Sequence, residues 1–190
     1  MTRIHSLPVD QWDPELREAA HADALPEIQQ KMLGVYANAP NLAKPYLRFT
    51  AEQGAAFTLG RRLLELVRLR IAFHNQCRSC MAVRYESALA DGLTEDLVCS
   101  LEQPHEAPDL TDAEKAALRF ADLFATNHLA IDDALIEELR RHFSEQHIVE
   151  LCMHCAYCVG YGRMAATYRI IEELPASFQD TGRKVAPWEA

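Results

Sequence analysis

Residues 61–80 read RRLLELVRLRIAFHNQCRSC. Leu63, Leu64, Leu66, Val67 and Ile71 leave this segment little polar face, so it reads as a helix buried on most sides. Glu65 lies inside the apolar run, where a carboxylate is costly to bury without partners. Arg61, Arg62 or Arg68 can pair with it, or it can relay a proton to the thiols downstream. Cys77 follows twelve residues after Glu65, and Cys80 comes three later, with Arg78 and Ser79 between them. Such a pair has three readings: a redox couple, half of a metal site, or two small apolar side chains in a core.

Outward from this segment, helical spacing recurs almost throughout. Only 7 of the 190 residues are glycine. Ala, Leu, Glu and Arg are good helix formers, and no convincing alternating strand is present. The expected class is all-α. One helix is predicted from Pro26 to about Asn38, with Ile28, Met32 and Val35 on one face and Pro40 as its stop. A second covers NLAKPYLRFTAEQGAAF, capped at Asn41, with Pro45 acceptable only in its first turn. A third spans GRRLLELVRLRIAFHN. A fourth covers QCRSCMAVRYESALADG and ends at Gly92 in the left-handed conformation. A short helix starts at Thr94. A capping box, Thr111 with Glu114, opens the next, and IDDALIEELRRHF is amphipathic. The last helix is long and apolar, capped by Ser144 and ended by Pro175. Residues 176–190 read as an irregular arm. The whole is expected to be one helical domain over 1–190, with a core at 26–174, an N-terminal segment at 1–25 and the arm at 175–190. ELVRLRIAFHNQC and ELCMHCAYCVGYG echo one another and hint at two related helical halves.

Composition narrows the function. Apolar residues make up 49%, charged residues 25%, and the formal net charge is −9. This argues against a nucleic-acid face and against an anionic membrane surface. The start, MTRIHSLPVDQWDPEL, lacks the apolar run of a secretory signal, and no stretch reaches the length of a membrane span. A cytoplasmic protein is expected. There, six cysteines point to redox chemistry, metal binding or burial rather than a disulfide scaffold.

Cys77 and Cys80 would be neighbours on a helix beginning near Gln76, close enough to bridge with slight adjustment. The helix N-terminus and the arginines at 78 and 84 favour a thiolate. Arg84, four residues after Cys80, would reach back over the sulfurs. Position alone makes Cys77 the more acidic thiol. A zinc site would need two further ligands beyond the pair. His74 is wrongly spaced to complete one, so Cys152, Cys155 and His154 would have to fold alongside.

Glu65 in LLELVRLRIAFHNQCRSC, the Cys77-x-x-Cys80 pair and the following MAVRYESALADGLTEDLV resemble the alkylhydroperoxidase-D-like, carboxymuconolactone decarboxylase superfamily. The match is strongest over about residues 45–100. The resemblance implies a compact all-helical fold assembling into symmetric trimers or hexamers. It also implies thiol peroxidase chemistry in members that keep both cysteines. Carried over, Cys80 attacks the hydroperoxide, Cys77 resolves the sulfenic acid to a disulfide, and Glu65 belongs to the proton relay. A dithiol reductant such as dihydrolipoamide on a lipoyl partner protein then restores the pair. No cofactor and no metal are implied. The family pattern places a histidine where this chain has Arg84, and its archetype has a second where this chain has Ser79. Arginine keeps its proton and cannot act as base, although it can stabilise a thiolate. The relay would then be rebuilt through His74 or a histidine from another helix, such as His147 or His154. A non-redox alternative, a decarboxylase-like enzyme or ligand-binding oligomer of the same fold, needs no thiol pair.

The remaining cysteines read more plainly. Cys152, Cys155 and Cys158 step along one helix and, with Gly160, Tyr157 and Tyr161, suggest close helix packing. A metal site or auxiliary thiol relay is the sharper reading. Cys99 reads as core.

Overall fold

The computed structural model describes residues 2–189. Its helices are α1 (Pro14–Ala19), α2 (Glu27–Tyr36), α3 (Pro40–Ala56), α4 (Arg61–Asn75), α5 (Arg78–Ala82), α6 (Glu86–Ala90), α7 (Glu95–Cys99), α8 (Asp112–Thr126), α9 (Asp133–Arg140), α10 (Glu145–Tyr168) and α11 (Ala176–Gln179). Short 3-10 turns join several of them, and no strand occurs among the described residues. No described helix is long and apolar enough to cross a membrane.

The centre is α4, as its sequence requires. Leu66, Val67, Leu69 and Ile71 are wholly inaccessible to water. They join Leu118 and Ala121 of α8 and Leu151, Cys155 and Cys158 of α10 in the largest apolar cluster. α10 runs beside α4 in the same direction. Glu150 accepts from the Thr58 and Leu59 amides at 2.8 and 3.1 Å, His154 meets the Leu64 carbonyl, and Asn75 donates to the Cys158 carbonyl at 2.9 Å. These are the two segments whose sequences echo one another. A second cluster gathers Ala72, Met81, Ile171, Leu174, Phe178 and Val185 around α5. A third, with Trp12 and Leu16, fastens the N-terminal segment.

Caps stand where side-chain chemistry placed them. Thr94, Thr111 and Ser144 accept from Leu97, Glu114 and His147 amides, and the Thr111–Glu114 box is complete. Gly92 has φ +85°. Elsewhere the chain departs from expectation. α3 starts at Pro40 with Ala39 as its cap, not Asn41. Proline suits a first helical position because its missing N–H would be unpaired there. That start puts Pro45 in the second turn rather than the first. The single helix expected over 76–92 is two, α5 and α6, with extended backbone at Val83 and Tyr85 between them. α10 ends at Tyr168 rather than at Pro175. Arg169 turns left-handed (φ 58°), and Ile170, Ile171 and Leu174 are buried beyond it. The arm is irregular in backbone, as expected, but it is not loose: Phe178, Val185 and Ala186 are buried. Cys99, expected in the core, is exposed at the end of α7.

One close approach ties the N-terminal segment down. A Cβ on Gly34 would stand 2.5 Å from the Leu7 carbonyl oxygen, whose own amide donates to the Gly34 carbonyl at 3.0 Å. Gly34→Ala is therefore expected to destabilise the protein by about 1–3 kcal/mol. Gly54→Ala, with open space around it, should be neutral or stabilise by up to about 1 kcal/mol. Urea midpoints for the two variants test this, and equal midpoints would remove the claimed contact.

Candidate active site

The cysteine pair sits on a corner built by Gln76. α4 closes with Gln76 in the left-handed region, φ 52°. The Gln76 amide donates to the Phe73 carbonyl and the Cys77 amide to the Ala72 carbonyl, both at 3.1 Å. This is the double bond pattern that usually recruits glycine at a helix end. Glutamine holds the position through its side chain. Its amide donates to the Phe73 and Val185 carbonyls, while its oxygen accepts from the Val185 amide at 3.1 Å and from Arg78 at 2.6 Å. The corner thus turns the chain from α4 into α5 and binds the C-terminal arm across it. Cys77 precedes α5, Cys80 lies on it, and the two are joined by a disulfide with Cα atoms 5.2 Å apart.

Glu65 finds one of its expected partners. Arg68 donates to both carboxylate oxygens at 2.6 Å, and Glu65 is 3% exposed. The same guanidinium donates to the Cys80 carbonyl at 2.5 Å and the Val83 carbonyl at 2.9 Å. A third contact comes from the Tyr85 amide, which donates to Glu65 at 3.4 Å. Carbonyls at a helix C-terminus lack intrahelical partners, and Arg68 supplies them for α5. This explains the break after Ala82 that helix propensity alone did not show.

The two sulfurs differ in access. Cys77 is fully buried, and its Sγ lies 3.7 Å from the Ser79 hydroxyl. Cys80 opens onto a cavity of about 370 Å³ whose wall includes Arg68, Ser79, Tyr36, Tyr46, Tyr85, Tyr157 and Cys158. Arg68 also stacks over the Tyr85 ring, 4.9 Å from its centre. Burial pushes the phenols of Tyr36 and Tyr46 above their ordinary range and that of Tyr157 up to about 12. Burial also raises the Cys158 thiol to about 12. These groups hold their protons at neutral pH, and no histidine lines the described wall.

The other expected residues lie elsewhere. Arg84 does not reach back over the sulfurs, because it follows the break rather than continuing the helix. It donates to Glu95, to the Met81 and Val83 carbonyls, and to the Pro187 carbonyl of the arm at 3.0 Å. His74 points to α8, where its Nε2 meets Asp122 at 2.7 Å. Burial would raise the Asp122 carboxyl, but hydrogen bonds from His74 and Arg70 hold it below the ordinary value. His154 is buried against the Leu64 carbonyl (2.8 Å), and burial lowers its pKa to about 4. Neither His147 nor His154 lines the cavity beside Cys80. Cys155 and Cys158 are core residues and Cys152 is half-buried. Among the described residues no group of three His, Cys, Asp or Glu side chains converges as a metal site. Sequence reasoning gave Arg68 only as an ion-pair partner. Its three-residue spacing from Glu65 was visible, but its reach to the Cys80 carbonyl was not. The tyrosine wall was also missed, since it comes from α2, α3 and α10 together.

The profile of the carboxymuconolactone decarboxylase family matches residues 40–123. An uncharacterized protein of Mycobacterium tuberculosis, in two strains, is 43% identical over 89 residues, covering 46% of this chain and 31% of that protein. The chain thus corresponds to less than a third of those relatives' length. A solved Agrobacterium tumefaciens protein of unknown function, connected by name with AhpD antioxidant defence, is 26% identical. It aligns with a TM-score of 0.64 over 74% of this chain and 95% of that one. An uncharacterized peroxidase-related protein from Ralstonia eutropha, with an alkylhydroperoxidase AhpD core, shares the fold at 16% identity. Its TM-score is 0.71, over 94% of both chains. The family profile thus covers under half of the chain, and the solved structures show that the chain shares the all-helical AhpD-like fold.

Two outcomes follow from this geometry. Glu65→Gln leaves Arg68 as an uncompensated buried cation and should lower the unfolding free energy by about 3 kcal/mol or more, read by urea titration. A wild-type midpoint in this variant would rule out a close-paired ion couple. His154 stays neutral in the fold down to about pH 4, whereas the unfolded imidazole titrates near 6.5. The unfolded chain therefore gains a proton first, and stability falls as pH drops from about 6.5 toward 4, by roughly 3 kcal/mol. His154→Gln should flatten that part of the stability profile, and an unchanged slope would refute the assignment.

Proposed function

We propose that the protein is a thiol-dependent hydroperoxide reductase, with Cys80 as the attacking thiol and Cys77 as the resolving one. The observation that carries this reading is the asymmetry of a bridged pair: Cys80 faces a cavity and Cys77 is fully buried. The Cys80 thiolate attacks the terminal peroxide oxygen, the O–O bond breaks, and an alkoxide leaves and takes a proton to become an alcohol. The Cys77 thiol then attacks the Cys80 sulfenic acid, forming the disulfide and releasing water. A dithiol reductant, such as a lipoyl group on a partner, returns two electrons and two protons to the pair.

Arg68 is the cation on the cavity wall, and it favours the Cys80 thiolate electrostatically. Glu65 acts as a positioning residue by holding Arg68. Arg84 positions α5 through its carbonyls and the arm, and His74 braces α4 against α8. With no histidine on the wall, the thiol proton passes to water at the cavity mouth. A symmetric trimer or hexamer belongs to the same reading. Leu42 and Phe49 on α3, with Val149 and Met153 on α10, are exposed apolar side chains that such an assembly would cover.

The apolar cavity also favours a second reading, a decarboxylase-like or ligand-binding protein working without thiols. Peroxide consumption with a dithiol reductant separates the two. Cys80→Ser should abolish turnover, and Cys77→Ser should give a single oxidation without recycling. Turnover that persists in Cys80→Ser, or that survives alkylation of both thiols, would overturn the peroxidase reading.

A further inference from the structure

A second cavity, of about 210 Å³, lies on the other side of Ser79, between the N-terminal segment, the start of α5, the end of α10 and the arm. Its wall carries Arg3, Arg78 and Arg169, with the side chains of Gln76, Ser79 and Thr181. Every one of these side chains can donate a hydrogen bond, and among the described residues no carboxylate lines the cavity. In a protein with 28 acidic and 19 basic residues, three convergent guanidiniums without an acid run against the average charge.

Their hydrogen-bond partners are neutral, while the Asp180 and Glu189 carboxylates act on Arg78 only across space. Arg3 donates to the Thr167 carbonyl at 3.4 Å. Arg78 donates to the Gln76 side-chain oxygen at 2.6 Å and to the Asp180 and Arg183 carbonyls at 3.3 and 2.7 Å. Arg169 donates to the Thr181 hydroxyl at 2.9 Å. The neighbouring Asp180 carboxylate turns instead to Arg183 and the Gly182 amide. The Arg169 Nε is shut off from water with no acceptor, the single such side-chain atom among the described residues. A buried donor without an acceptor is expensive to maintain.

The backbone bears on the same place. His21, Gln76 and Arg169 are the described non-glycine residues with positive φ, and two of them stand on this wall. Left-handed backbone is unfavourable for such residues and collects at functional sites. The C-terminal end of α10 contributes a partial negative charge of about half a unit, which three guanidiniums outweigh.

We propose that this cavity is an oxyanion-binding site, taking the carboxylate or phosphate group of a small molecule on the Arg3, Arg78 and Arg169 forks. The planar fork of arginine matches either group in bidentate fashion. The bound anion ties the N-terminal segment, the dithiol helix and the end of α10 together. Binding needs neither peroxide nor a free thiol, so it stands apart from the reductase reading.

Calorimetric titration of the full chain tests this, with inorganic phosphate in one arm and succinate in the other, at matched ionic strength in chloride. One saturable site is expected for phosphate, succinate or both. Phosphate alone indicates a phosphorylated ligand, succinate alone a carboxylate, and both the shared oxyanion chemistry. Arg169→Gly keeps a residue that accepts the left-handed backbone while removing the cation. It should fold as well as the wild type and bind about ten- to a hundredfold more weakly. Arg3→Gln, which leaves that backbone untouched, should also weaken binding. Heats no larger than those of chloride in both arms, or wild-type affinity in folded Arg169→Gly and Arg3→Gln, would overturn the site.

Discussion

The Glu65–Arg68 pair is the interaction on which the arrangement of the thiols depends. It joins two residues of the central helix, yet its reach extends to the next two. Arg68 meets both oxygens of Glu65 and caps the Cys80 and Val83 carbonyls. A buried ion pair is not intrinsically more stabilising than apolar packing. Its value here is directional. It ends α5 after one turn, turns Tyr85 into the cavity wall, and fixes Cys80 by its backbone.

From that constraint follows the difference between the two sulfurs. The Gln76 corner directs the chain back under itself, so the first cysteine is enclosed and the second faces open space. A pair on one continuous helix would expose both thiols on a common face. The side chains around Cys80 are one cation and a group of phenols held protonated by burial. In the proposed chemistry such a site favours the thiolate by charge rather than by a resident base, and it receives an apolar organic portion more readily than a polar one. The arm completes the setting. Arg78, between the two cysteines, and Gln76 and Arg84, on either side of them, hold it through its backbone.

Much of this was legible in the sequence, and the exceptions have physical causes. The apolar run of α4, the caps at Thr94, Thr111 and Ser144, and the left-handed Gly92 follow from local chemistry. So did the suspicion that Glu65 must find an arginine. The break between α5 and α6 was not legible, because Met81, Ala82 and Arg84 are good helix formers and a distant guanidinium overrules them. Arg84 was misread for the same reason, its direction having been inferred from a helix that stops short of it. Cys99 was misread because cysteine is so often buried, while its place at the exposed end of a five-residue helix is set by Leu97 and Val98 facing inward. The cavity wall draws on helices far apart in sequence, and no local pattern announces such a meeting.

The central claim is that one thiol of the pair is presented and the other sheltered. Its most direct measurement is the rate of alkylation at each cysteine of the freshly reduced, native protein, resolved by peptide mass mapping. Cys80 should be modified first, with Cys77 protected until the protein unfolds. Equal rates at the two positions, or faster modification of Cys77, would contradict the account.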